Sequence, residues 1–126
     1  MSINRPLGFT RIELPYPPTT NNLFLNAGRG RTKSPEYRAW IDLASTSIKE
    51  SHRVGYGSYS ISICFRRPDK RKRDIANLEK AISDLLVSHG VLQDDSLCER
   101  MTLQWDAGMK AECVVIVQAH EMGMAA

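Results

Sequence analysis

The sequence predicts a single α/β domain, residues 1–126, in which two helices cover a mixed β-sheet in the order β-α-β-α-β-β. Three observations carry that expectation. "YSISICF" (59–65) and "AECVVIVQAH" (111–120) have the alternation and β-branched content of strands. Residues 35–50 and 74–89 repeat apolar side chains at helical spacing. The length of 126 residues suits one domain with a real core, and no repeat, linker or composition break divides it.

Taken in order, "FTRIEL" (9–14) is a short strand, ended by "PYPP", whose prolines fix φ and favour extended or turn backbone. "TTNNLFLNAGRGRTK" is rich in Asn, Gly and cations and reads as a loop. Ser34-Pro35-Glu36 is a helix start: Ser caps, Pro suits the first turn, and Glu complements the dipole. Tyr37, Trp40, Ile41, Ala44 and Ile48 then mark a helix over 35–50. "VGYGS" breaks the chain before the 59–65 strand. The second helix spans Asp74 to His89 on an apolar stripe of Ile75, Leu78, Ala81, Ile82, Leu85 and Leu86, with Gly90 as its stop. "VLQDDS" is a turn, and "LCERMTLQW" alternates as a strand. "DAGMK" reads as a hairpin turn into the last strand, and 121–126 as a frayed tail.

Apolar residues make up 42% and charged residues 25% of the chain, which excludes disorder throughout. The net charge of +3 argues little by itself. Its distribution says more: Arg66, Arg67, Lys70, Arg71, Lys72 and Arg73 form one run opposed only by Asp69, and Arg29, Arg31 and Lys33 form a smaller group. Cys64, Cys98 and Cys113 have no metal or redox spacing and read as reduced packing residues. With no signal-peptide stretch and no membrane-length apolar run, the expected location is the cytoplasm, without a membrane partner. His52, His89 and His120 suggest no ligand set. Trp40 and Trp105 read as core, whereas Tyr16 and Phe24, beside irregular segments, are better placed to stack on bases.

On a helix advancing about 100° per residue, Ala76, Asn77, Lys80 and Asp84 gather opposite the apolar stripe, with Asp74 at the N-terminal end. Asp94 and Asp95 follow in a turn, and can meet the helix start only if the strands carry that turn back beside it. Phosphodiester hydrolysis needs a hydroxide nucleophile and neutralisation of charge on the phosphorane-like transition state. Mg²⁺ supplies both and prefers carboxylate oxygens, while a lysine adds a point charge at the scissile phosphate. The adjacent cations suit flanking phosphates, giving salt-sensitive binding with little sequence preference. The same residues also permit a plainer reading. Asp74 can be a helix cap, Asp94 and Asp95 turn residues, Lys80 and Asp84 a surface ion pair, and the basic run a solvated patch. From these features a nuclease and a non-catalytic nucleic-acid-binding module both remain open.

"LPYPPTTNN", "GRGRTKS", "RRPDKRKRDIANLEKAISDLL" and "GVLQDDS" together resemble the RusA family of Holliday junction resolvases, small endonucleases common in phages and prophages. The central portion is the specific part: a basic run, the family's D-x-D-N-x-x-K motif on a helix, which here reads D-x-A-N-x-x-K, then a glycine and a D-D pair. The resemblance implies that Asp74 and Asp95 are catalytic metal-binding acids, with Asp94 a lesser metal contributor. It makes Lys80 the catalytic lysine and Asn77 the motif asparagine. It also implies Mg²⁺ as cofactor, with Mn²⁺ as a substitute, a four-way DNA junction as substrate, and a homodimer that makes paired symmetric nicks in recombination and repair. A bacterial host cytoplasm is the matching location. Two-fold symmetry of the substrate suits a dimer, since paired nicks need two active sites.

The departure from the family pattern is Ala76, which stands where the middle catalytic aspartate belongs. A methyl group ligates no cation, so a metal loses an anionic ligand and cutting is expected to fall by orders of magnitude. Junction binding is expected to be spared or even improved, because one source of repulsion from phosphate has gone. No neighbouring acid replaces it convincingly: Glu79 projects about 140° from Asp74 around the helix, Asp84 lies two turns along, and Asp69 is across the basic run. Ala76 thus marks either a deliberately inactivated resolvase or a natural homologue reduced to binding. The intact remainder of the motif favours the first.

Overall fold

A computed structural model describes residues 8–28 and 30–120. The strands are β1 (Thr10–Leu14), β2 (Phe24–Ala27), β3 (Gly30–Lys33), β4 (Tyr59–Phe65), β5 (Cys98–Trp105) and β6 (Cys113–Ala119), and the α-helices are α1 (Pro35–Ser45) and α2 (Glu79–Ser88). Four strands form one sheet in the order β1-β6-β4-β5; β4 pairs antiparallel with β6 and parallel with β5. The sheet is therefore mixed, as expected. The expected tail at 121–126 lies outside the described residues.

Alternation along β4 explains where the core sits. Tyr59, Ile61, Ile63 and Phe65 point to the helix-covered face and are fully or almost fully buried, and Cys113, Val115 and Val117 of β6 join them. Leu78, Ala81, Ile82, Leu85 and Leu86 meet this face from the second helical segment, and Tyr37, Trp40 and Ala44 from α1. Truncating one of the large aliphatic members to alanine is expected to cost about 2–5 kcal/mol. Cys113 belongs to this core, and burial pushes its thiol up to about 12; all three cysteines are free.

Both helix starts follow from local chemistry. Ser34 caps α1 by accepting the Tyr37 N–H at 3.0 Å, and its own hydroxyl donates to the Asn22 carbonyl at 2.7 Å, which ties the helix to the preceding segment. Asp74 caps a 3₁₀ turn, Ile75–Leu78, that leads into α2. The end of α2 is a Schellman motif: Gly90, at φ +76°, donates to Val87 at 3.1 Å, and buried Val91 donates to Leu86 at 2.9 Å.

Four expectations need correction. The second helix begins at Glu79, not Asp74, because residues 75–78 wind as a 3₁₀ turn under the Asp74 cap. The 19–33 segment is not all loop: β2 and β3 pair antiparallel, Phe24 opposite Lys33, and Gly28 leaves β2 at φ +60°. Helix α1 ends at Ser45, not 50, because Thr46 Oγ1 donates back to the Leu43 carbonyl at 2.7 Å and the chain tightens into 3₁₀-type bonds. "DAGMK" is not a hairpin turn. β4 lies between β5 and β6, and the connection steps over its end, where the Asp106 N–H donates to Phe65 and the Arg66 N–H to Glu112.

Candidate functional site

The turn after α2 does return to the helix start. Tyr56 and Leu92 form a parallel bridge, Gln93 N–H donates to the Tyr56 carbonyl at 3.0 Å, and β5 then pairs with β4 from Cys98 onward. The Ile75–Leu78 turn packs against β5, and Asp95, which opens a 3₁₀ turn before β5, reaches the first turn of α2. Lys80 Nζ there lies 3.2 Å from Asp84 Oδ1 and 3.9 Å from Asp95 Oδ2. The hydrogen bond with Asp84, and then the charges of Asp84 and Asp95, hold the Lys80 ammonium above its usual range, so it is fully charged at neutral pH. Beneath them Tyr59 is fully buried, and burial, with Cys98 and Asp95 adding, raises its phenol.

The remaining acids are occupied locally. Asp74 Oδ1 accepts the Ala76 N–H at 3.1 Å, so the cap and the alanine are directly linked. Asp94 accepts from the Ser96 N–H at 3.0 Å and from its hydroxyl, which lowers its carboxyl below the usual range. Asn77 is half-buried, and its carbonyl accepts from Thr20 Oγ1 at 3.1 Å. Each acid considered as a stand-in for position 76 is engaged elsewhere: Glu79 accepts from Ser83 at 2.6 Å, Asp84 pairs with Lys80, and Asp69 pairs with Arg71 and Arg73. The oxygen donors suit a hard cation. Among the described residues, however, no three His, Cys, Asp or Glu side chains come together closely enough to hold one.

The basic run is a loop with internal anchors. Arg66 Nη1 donates to the Lys110 carbonyl, and the Arg67 guanidinium lies over the Trp105 ring, 4.3 Å from its centroid. Asp69 gathers Arg71 and Arg73, while Lys70 and Lys72 are exposed. On the hairpin, Arg31 covers the Phe24 ring at 4.6 Å, and Lys33 and Phe24 help line a 410 Å³ groove that also reaches Asp84. Arg29 lies outside the described residues. The Arg67–Trp105 stack was not legible in sequence, because nothing local places residue 105 beside residue 67. Trp105 is only partly buried, so its expected core role holds for one side of the ring, which meets Phe65 at 5.9 Å between centroids.

A single α/β sheet domain with a basic loop leading into an acid-and-lysine helix start has the layout of a protein that handles a polyanion. The comparisons give the family. A family model described as "Endodeoxyribonuclease RusA" matches residues 15–118. The crossover junction endodeoxyribonuclease RusA of Escherichia coli K12 is 39% identical over 88 residues, covering 68% of this chain and 72% of that protein. The corresponding protein of Enterobacteria phage 82 is 40% identical over 88 residues with the same coverage. The chain belongs to the RusA endodeoxyribonuclease family.

Proposed function

We propose that this chain is a RusA-type endodeoxyribonuclease directed at four-way DNA junctions, and that Ala76 leaves it able to bind junctions while cutting them poorly. The observation that carries the reading is the approach of Lys80 to Asp95, beside a helix start capped by Asp74 and carrying a methyl group at position 76. Lys80 is the point charge for a scissile phosphate, and Arg66, Arg67, Lys70, Arg71, Lys72 and Arg73, with Arg31 and Lys33 on the hairpin, hold the flanking arms. Asp74 and Asp95, with Asp94 beside them, are what the chain retains of a Mg²⁺ or Mn²⁺ site. That set is one carboxylate short, so no cleavage step is assigned to it. The working form is a homodimer, because paired nicks need two sites, and its place is a bacterial cytoplasm, where junction DNA lies. Among the described residues no helix is long and apolar enough to cross a membrane.

The test is restoration. Ala76→Asp is expected to cut synthetic four-way junctions in Mg²⁺ at least about 100-fold faster than the original chain, the scale of losing a coordinating carboxylate. Two proteins that bind junctions equally and are equally inert would defeat the nuclease reading. A second reading, a binding module without catalysis, draws on the capping roles of Asp74 and Asp94 and on the Lys80–Asp84 pair. It requires salt-dependent binding with no preference for a junction over duplex or single strand, which a gel-shift comparison reads directly.

A further inference from the structure

Asp69 is an acid in the middle of the basic run, where simple electrostatics would place none. Its carboxylate is saturated. Oδ1 accepts from the Arg71 N–H at 3.0 Å and from Arg73 Nε at 3.3 Å; Oδ2 accepts from Arg71 Nε at 3.1 Å and from Arg73 Nη2 at 2.7 Å. The backbone bond closes an Asx-type turn that sets the course of residues 69–71. The contact with Arg73 is a fork on a carboxylate, the geometry that best fixes a guanidinium in direction. The two arginines differ in consequence. The Arg71 side chain is 78% exposed, whereas that of Arg73 is only 21% exposed and helps wall a cleft with Tyr16, Pro68 and Trp40. Arg73 immediately precedes Asp74, the cap of the helix start.

We propose that Asp69 is a positioning residue for nucleic-acid binding: by gripping Nε and Nη2 of Arg73, it fixes that guanidinium at the rim of the cleft shared with Tyr16, presents it to a DNA phosphate, and sets the approach of the loop to Asp74. The inference rests on the proposed reading that the 66–73 loop faces DNA. The alternative is competition, in which Asp69 mimics a phosphate and holds the arginines away from DNA. The two predict opposite signs. Asp69→Asn makes the chain one charge more positive, so general electrostatics and the competition scheme both require tighter binding. Positioning requires weaker binding, because a preorganised donor becomes a mobile one whose ordering must be repeated on association.

The experiment is a salt titration of affinity for a synthetic four-way junction without divalent cation, with thermal unfolding followed on each variant. Asp69→Asn is expected to bind about 10-fold more weakly, with the slope of log affinity against log salt shallower by about one phosphate contact. Asp69→Glu keeps the charge and is expected to restore most of the affinity, which a loss of fold would not allow. Arg73→Lys keeps the cation but loses the fork, and is expected to match Asp69→Asn; it decides the matter if Asp69→Asn does not fold. Binding by Asp69→Asn as tight as the original or tighter overturns the proposal. Lys70→Ala/Lys72→Ala separates the layers: unchanged affinity in that double variant overturns the DNA-facing reading of the loop itself, whatever Asp69→Asn does.

Discussion

The loop from Arg66 to Arg73 and the acidic margin from Asp74 to Asp95 adjoin in space but are built on different rules. In the loop, charges are held by neighbours of different kinds: a main-chain carbonyl for Arg66, the Trp105 ring for Arg67, and the Asp69 carboxylate for Arg71 and Arg73. In the acidic margin, Lys80 spans Asp84 and Asp95, while Asp74 and Asp94 are turned to capping. A surface that binds a polyanion sums over many phosphates and loses only a fraction when one contact goes. A hydrolytic centre is a constellation whose members act as a unit, so one missing ligand removes most of the function. On the proposed reading, a single methyl group at position 76 separates binding from cutting.

The largest effect should come from the lysine at the centre of the acidic margin. In an Ala76→Asp background, Lys80→Ala is expected to lower junction cleavage by about 100-fold or more while changing affinity by less than about 3-fold. Cleavage indifferent to Lys80 would reduce it to the helix-face partner of Asp84 and erase the functional contrast. A smaller change is expected where the loop rests on the sheet. Trp105→Leu removes the ring under Arg67 and should weaken junction binding by about 2–5-fold, the scale of one exposed cation–π contact. An unaltered affinity in a gel-shift titration would mean that Arg67 needs no support to do its part.

How much of this was legible in the sequence divides along the same line. Strands β4 and β6, the cap at Ser34 and the glycine stop at Gly90 were readable, because alternation, capping and positive φ are set by residues near one another. The β2–β3 hairpin was not. β3 is exposed along its whole length and lacks an apolar alternation, although "NAGRG" did carry a two-residue glycine turn signal. The insertion of β6 between β1 and β4 was also hidden, since strand order depends on long-range pairing. At the candidate site, Asp74, Asn77 and Lys80 were readable from one motif, while the closeness of Lys80 to Asp95 waited on the β4–β5 pairing. Asp69 read only as the one acid opposing the basic run and an unconvincing stand-in for position 76, because a hub whose partners are two and four residues along a loop has no period to betray it.

The smallest effect concerns pH. The guanidinium of Arg73, then the Arg71 backbone N–H, hold the Asp69 carboxyl well below the usual carboxylate range. A depressed folded value contributes stability above the unfolded value near about 3.9 and loses it only as pH falls through the folded one. The loop is therefore expected to stay organised in mild acid, with Asp69 the last of the exposed aspartates to protonate in a carboxyl-detected NMR titration. Protonation of Asp69 together with ordinary surface aspartates would mean that the four hydrogen bonds do not persist in solution.

The central claim is that this chain possesses its grip and lacks one carboxylate of its cutting site. Direct cation binding tests that without relying on turnover. Mn²⁺ titrated into the original chain and into Ala76→Asp, followed by calorimetry and by water-proton relaxation, should give weak or undetectable binding in the first and a clear gain of at least about 10-fold in the second, with junction affinity close in both. Equal Mn²⁺ affinity in the two proteins would show that position 76 holds no metal, and the separation of binding from cutting would lose its cause.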